Sequence, residues 1–597
     1  MRPTLQWIDK VTTDDKGDGE LSGVCVYDMA FKPDGSELLI AADCLVYLCD
    51  GLSGAHMQSL KGHKDLVYTV AWSHTGELFA SGGADKLVIL WNEKHEGTLR
   101  YSHTDVIQCM MFSPVNQVLL TCAMNEFGLW STADKNVIKQ RSQARCCCCS
   151  WSTDGNIFAI GHGDGTITLR RGTSVTEDPI VTISRPAGEP IWGISFSHLR
   201  AFDPRNNDPK SVEEVMAVID WNRTLSLYSI DGTHLEDRQL EYEPSCISFC
   251  LNGEYLLVGG SDHKLRMYTR KGVLLGDLVN MDQWIWALAV RPGTNLIGIG
   301  CVDGTIGSYS LHFSTVHCVD HARYAHRKSM TDVIVQNLEY RTSCLIKCND
   351  LVRKMSLYDT RLAIQLSDKI IIYKQTQNAT KSDRRKYLKY QQIETMRRDD
   401  HFSLMVVTYG HLIICNDERL QCFDHKGLKK REWNMKSVVR YLRVLGGPPL
   451  RETLVVGTAD GGVYKIFIDN DYPILIDNRK SSIKCIDINS NRTVIASIDD
   501  NLLCKWMDLR TGDTLLQEPG CHSVVFNTVN ENIFAFTKNN TLHVRTFSSP
   551  GHVTRGVGYV LGFVKNKTFC LLSYNLIPLE VPFTIQLFQY IEKNNFK

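Results

Sequence analysis

The 597-residue sequence shows no excess of charge of either sign: 66 Lys plus Arg stand against 66 Asp plus Glu. Nucleic-acid binders and polybasic membrane binders usually carry a basic surplus, so neither class is expected, and no nucleic acid is expected as a partner. No run approaches the roughly 18 apolar residues that a helical membrane span requires, so no direct membrane insertion is expected. The opening segment MRPTLQWIDKVTTDDKGDGE is charged where a secretory signal would be apolar, and the expected home is the cytoplasm or another reducing compartment. A G-x-x-x-x-G-K-[ST] phosphate loop, an H-E-x-x-H zinc helix and a G-x-S-x-G elbow are all missing. The glycine cluster GIGCVDG, ending at Gly304, is followed by a strand pattern, so it lacks the helix N-terminus that makes such a loop bind anions. The chain therefore reads as non-enzymatic, with no cofactor and no catalytic or metal residues.

What is present is a chain able to build sizeable cores, with 43% hydrophobic and 22% charged residues. Its 21 cysteines are scattered through apolar segments, as at Cys146, Cys147, Cys148 and Cys149. In a reducing compartment they are expected to be free thiols packed as small hydrophobes. No C-x-x-C pair is matched by a second ligand pair at zinc-finger spacing, and Cys344 and Cys348 have no His pair following.

Internal repeats organise the first half. Turn signals recur as FKPDG from Phe31, WSHTG from Trp72, FSPVN from Phe112, WSTDG from Trp151, FSHLR from Phe196, FCLNG from Phe249 and VRPGT from Val290. The steps are about 41, 40, 39, 45, 53 and 41 residues, close to the roughly 40–45 of a four-stranded propeller blade. A second turn recurs in phase near Asp85, Asp164, Asp262 and Asp303, where Asp and Gly suit tight hairpins. Runs such as LVYTVAW and KLVILW are almost continuously apolar, as strands covered on both faces should be.

In GHKDLVYTVAWSHTGELFASGGADKLVILW, beginning at Gly62, the residues His63, Ser81, Asp85 and Trp91 match a WD40 hydrogen-bonded tetrad. A Ser/His/Asp triad could be read into the same residues, but their repeat-defining positions favour a structural lock. Only this second blade carries all four, and the other blades are read as decayed. Trp284 and Trp286 alternate with Ile285 and so share one side of a strand, where blade packing is expected. His162, His263 and His411 are isolated and read as turn or core residues.

After a break in phase between His317 and Arg341, hairpin-like runs resume from Leu362, Leu404, Glu452 and Ile483, and CKWMDLRTG from Cys504 is again WD40-like. The fold class is all-β, with two tandem seven-bladed WD40-type β-propellers. The expected division is 1–23 as an N-terminal strand and insertion-like segment, 24–328 as the first propeller, 329–592 as a second, divergent one, and 593–597 as a tail. The basic stretch Thr376–Tyr390 reads as a solvated loop, and the C-terminal IQLFQYIEKNNF fits a closing strand or a helical turn.

The strings FSTVH from Phe313, RYAHRKSMTDVIVQNL from Arg323, KCNDLVRKMSLYDTRLAIQLSDKIIIY from Lys347, RLQCFDHKGLKKREWNM from Arg419 and RYLRVLGGPPLRE from Arg440 lie outside any generic WD40 pattern. They resemble the intraflagellar transport protein 122 family, whose members are subunits of ciliary transport complex A. The resemblance implies a scaffold whose partners are other complex A subunits, a tubby-like adaptor and the dynein-2 machinery, in retrograde transport, cilium assembly and receptor import. It implies a location in the cytoplasm and in the cilium, at basal body and axoneme. Family members continue into long helical repeats, whereas this sequence stops at Lys597. A coat-type double-propeller scaffold for vesicle traffic is the alternative expectation. A propeller hydrolase would need acids or a metal converging in a channel.

Overall fold

In the computed structural model, the described residues are 2–13, 22–132, 136–173, 178–185, 188–197, 214–328, 330–376, 388–398, 402–539, 541–548, 551–555, 558–564, 567–571 and 579–582. Every regular element among them is a strand, and the chain divides into two compact units, Met1–Ser314 and Thr315–Lys597. Most of the basic stretch from 376 to 390, all of 585–597 and most of the insertion-like segment lie outside the described residues.

Among the described residues the strands of the first unit form seven four-stranded antiparallel sheets and one small pair, Thr12–Thr13 with Ser22–Gly23. The innermost strands of successive sheets pack side by side, and Ile285–Val290 of the last returns to Val26–Phe31 of the first. This is a closed ring. Within the four-stranded sheets the rim strand is the least buried and the second strand from the centre is almost wholly buried. In the second blade the inner strands Val67–Trp72 and Leu78–Gly83 are almost wholly buried, while the rim strand Gly97–Ser102 alternates between exposed and half-buried residues. The continuous apolar runs follow from this, because neighbouring sheets cover both faces of the inner strands. Small residues let the sheets approach: a Cβ on Gly161 would lie 2.6 Å from the Ile191 side chain of the next blade, and one on Gly300 would lie 2.5 Å from Val26.

The seventh sheet is completed by the N-terminus. Arg2–Lys10 pairs antiparallel with Thr305–His312, with Arg2 opposite His312 and Lys10 opposite Thr305. The segment expected to stand before the propeller as residues 1–23 thus contributes the outer strand of its last blade.

The second unit also has seven sheets, the last showing three strands among the described residues. It starts earlier than the expected 329, because His317–Asp320 is the inner strand of a sheet that continues through Arg323–Lys328. All four strands of this opening sheet come from one stretch, His317 to Lys347. Leu561 of the last sheet packs with Tyr324 and Leu338 of the first, which closes the ring through side chains.

Deleting residues 2–10 should lower the melting temperature of the first unit, because Thr305–His312 would lose its outer neighbour and become the rim of a three-stranded blade. Calorimetry of the shortened chain against the parent checks this; superimposable transitions would show that the strand does not close the ring.

Candidate functional site

In the second blade, His63 Nδ1 lies 3.0 Å from Asp85 Oδ2 and His63 Nε2 lies 2.8 Å from Ser81 Oγ. Trp91 Nε1 donates to the same Ser81 Oγ at 2.9 Å. Asp85 also accepts the backbone N–H groups of Lys64 and Leu87, each at 3.1 Å. The His63 and Asp85 side chains are 1% and 7% exposed. Burial lowers the His63 pKa while the Asp85 carboxylate pulls it upward, and the net shift is downward. The neutral ring then donates from Nδ1 to Asp85 and accepts the Ser81 hydroxyl proton at Nε2. The structure brings these four side chains into one chain of hydrogen bonds linking a loop, two strands and a turn.

The three other turn aspartates do not converge on one another; each organises its own hairpin. Asp164 accepts Thr166 N–H at 3.0 Å, Asp303 accepts Thr305 N–H at 3.2 Å, and Asp262 pairs with Arg266 at 2.5 Å. Sequence reasoning missed a second network in the third blade. There His103 Nδ1 lies 2.6 Å from Glu126 and His103 Nε2 lies 2.9 Å from Thr121 Oγ1, while the Tyr101 hydroxyl lies 2.8 Å from that same His103 nitrogen. Thr and Glu replace Ser and Asp at corresponding positions. The signal was available in the His-to-acid spacing, which is 22 residues in the second blade and 23 in the third.

The inner strands carry a further device. Each of the seven in the first unit has one register shift, and the residues passed over are Tyr27, Tyr68, Gln108, Cys147, Trp192, Ser245 and Trp286. Each lies four positions before one of the seven repeated turn signals. A β-bulge re-aims the extra side chain, and here the rings converge. Trp192 of the fifth blade and Trp286 of the seventh meet at 5.8 Å between centroids, past the small Ser245 of the sixth. Trp221 packs on Trp192 at 5.1 Å, Trp284 on Trp286 at 5.5 Å, and Tyr27 on Tyr68 at 5.1 Å. Trp284 and Trp286 thus do pack, but within a half-buried aromatic mouth. Beside it lies a cavity of about 420 Å³ lined by Arg145, Cys147, Glu189, Pro190, Trp192 and Trp221. Trp221 is held on a firm turn: the neighbouring Asp220 carboxylate accepts Thr224 N–H at 2.9 Å and pairs with Arg185 at 2.6 Å.

Polar side chains also bridge the inner strands of successive blades. Asp28 Oδ2 accepts the Thr69 hydroxyl and Val70 N–H, both at 3.0 Å, and Thr69 Oγ1 accepts Met110 N–H at 3.2 Å. The second unit repeats the arrangement: Ser356 Oγ accepts Val407 N–H at 3.0 Å, Asp487 accepts Phe526 N–H at 2.8 Å, and Ser523 Oγ accepts Val560 N–H at 2.9 Å. The second unit also holds a cavity of about 360 Å³ at its inner-strand ends. Its acids are engaged: Asp320 pairs with Arg323 at 2.8 Å and Asp487 with Arg443 at 2.5 Å.

Closed rings of four-stranded sheets, with a His–Ser–Asp–Trp network locking a blade, define a WD-repeat protein with two tandem β-propellers. The chain belongs to the IFT122 family: the family model described as IFT122 first beta-propeller matches residues 25–310, and that described as IFT122 second beta-propeller matches 317–576. It is 40% identical over 600 residues to the intraflagellar transport protein 122 homolog of Danio rerio, covering 100% of this chain and 49% of that protein. For the Mus musculus homolog the identity is again 40%, with 48% of that protein covered, and for the Homo sapiens homolog it is 36% over 650 residues, with 51% covered. The chain thus spans about half the length of these relatives.

Asp85→Ala should destabilise the first propeller by about 1–3 kcal/mol, since it strands the His63 N–H and two backbone N–H groups. Thermal or urea unfolding checks this, and an unchanged midpoint would assign the network no structural weight. Asp28 gives a pH-dependent prediction. Burial pushes its pKa up from 3.8 to about 6, against the lowering effect of its hydrogen bonds. Between about pH 4 and 6 the folded state therefore holds a proton that the unfolded chain has lost, and its contribution to stability falls as pH rises through that window. Asp28→Asn cannot titrate, so the melting temperature of the variant relative to the parent should climb from about pH 4 to 6 and then level off. Parallel curves would refute the assignment.

Proposed function

We propose that the chain is a non-enzymatic scaffold of intraflagellar transport complex A, presenting rigid propeller faces to protein partners. The observation that carries this is the pair of family matches, which cover both propellers in order. The partners are other complex A subunits, a tubby-like adaptor and the dynein-2 machinery. The processes are retrograde ciliary transport, cilium assembly and import of ciliary membrane receptors, in the cytoplasm and in the cilium at basal body and axoneme. The His63, Ser81, Asp85 and Trp91 network serves as a structural lock in this reading, and the turn aspartates Asp164, Asp262 and Asp303 hold the hairpins of the same face.

The aromatic mouth of the first propeller is the face best suited to a partner. Half-buried Trp and Tyr rings offer large contact area at little entropic cost, and tryptophan is enriched where binding energy concentrates. Its rings are carried by strand bulges and turns, so little ordering would be needed on binding.

Affinity purification of the tagged chain from ciliated cells should recover other complex A subunits, with the tagged chain at basal body and axoneme. Recovery of none of them would sink the assembly reading. A Golgi pattern would favour the coat-type scaffold.

A further inference from the structure

Cys109 and Cys122 stand directly opposite each other on the paired strands Ile107–Phe112 and Val118–Ala123 of the third blade. Cys149 comes from Cys146–Trp151, the inner strand of the fourth. The three Sγ atoms all lie within 4.8 Å of one another, and all three thiols are free. The surroundings are apolar: Leu120, Phe127, Trp151 and Phe158 share the cluster.

The repeat shows how far this interface departs from its neighbours. The position of Cys122 is held in other blades by Ala41, Gly82, Gly161, Gly259 and Gly300, with Ile219 in the fifth. The position of Cys149 is held by Met29, Val70, Met110, Ile194, Ile247 and Leu288. Sulfur reaches other seams too, as Met29, Met110, Cys148 and Cys246, but only at this one does a thiol stand both at the usually small position and at the position elsewhere held by a longer aliphatic or methionine side chain. Both changes bring thiols to the same point, which packing alone does not require.

We propose that Cys109, Cys122 and Cys149 bind a soft, thiophilic d10 cation, Zn2+ or Cu+, between the third and fourth blades. Metal–sulfur bonds of about 2.3 Å place thiolates roughly 3.8–4.0 Å apart around one ion, a spacing these sulfurs reach with small rotations. Each coordinated thiol gives up its proton to solvent, so affinity falls as pH is lowered. Three thiolates satisfy Cu+. Zn2+ prefers four ligands; the Cys146 thiol reaches Cys122 but lies outside the group of three mutually close sulfurs, so it would have to turn toward the ion to supply the fourth.

The test uses the whole chain, purified under reducing conditions and loaded in separate arms with Zn2+ or, without oxygen, with Cu+, then challenged with a chromophoric chelator. The parent should retain one equivalent of at least one ion. Cys109→Ser and Cys149→Ser should each weaken retention at least ten-fold, and Cys147→Ser should not. Loss of Zn2+ on Cys146→Ser identifies a four-sulfur zinc site, whereas Cu+ retention indifferent to that change identifies three-sulfur copper. A Co2+ titration of the unsubstituted chain is a readout that needs no variant: an intense sulfur-to-cobalt absorption at one equivalent is expected. Retention of neither ion, retention unaltered in Cys109→Ser and Cys149→Ser, no cobalt absorption from a chain that retains Zn2+, or a disulfide among the three would each overturn the proposal.

Discussion

The structure depends on how the inner edge of each sheet is satisfied. The innermost strand of a blade has a hydrogen-bonded neighbour on one side only, and its other edge faces the centre of the ring, where unpaired backbone groups are costly. Part of the answer is a set of side-chain bridges from one inner strand to the next: Asp28 to Val70, Thr69 to Met110, Ser356 to Val407, Asp487 to Phe526 and Ser523 to Val560. Each acceptor takes an N–H from the following blade, so the bridges run in one direction around each ring. The apolar wedges between blades supply most of the burial. The bridges fix the angular register that lets those wedges interlock.

The same inner strands set what the first propeller can present. A bulge near the start of each strand turns one side chain out of the sheet pattern, and seven repeats of that step collect Tyr27, Tyr68, Gln108, Cys147, Trp192, Ser245 and Trp286 around one end of the ring. Chemistry at this end can vary without disturbing the blades, because the passed-over residue has no pairing partner to lose. The His63–Asp85 network joins the loop entering a blade to the turn between its middle strands, so locking and presentation occur on the same face.

Much of the architecture was legible in the sequence, because the blade period and the two turn types are local signals. His63, Ser81, Asp85 and Trp91 could be found because each residue type stands where one hydrogen bond needs it. The His103 network escaped because Thr121 and Glu126 make the same bonds with different letters. The bulge residues escaped for another reason: within a continuous apolar run no letter marks which residue is passed over, since pairing register belongs to two strands at once. The boundary near residue 314 was placed too late because His317–Asp320 is short and half-buried, and only its pairing with Arg323–Lys328 joins it to the second unit.

The two rings solve closure differently, and the difference lies in sequence distance. In the first, the last blade needs Arg2–Lys10 to pair with Thr305–His312, so the strand made first completes the sheet made last. Such a clasp is slow to form, because almost the whole unit must be ordered before its hydrogen bonds repay the closure entropy. Once formed, it ties the two ends of the ring with a ladder of backbone bonds. In the second ring the opening blade is built from one continuous stretch, His317 to Lys347. Among the described residues the closing blade meets it through Leu561 against Tyr324 and Leu338. Side-chain packing at a seam yields to smaller displacements than a hydrogen-bonded ladder does. Among the described residues no strand is shared across the seam between the last and first blades of the second ring, whereas in the first ring the two ends of the unit meet inside one sheet.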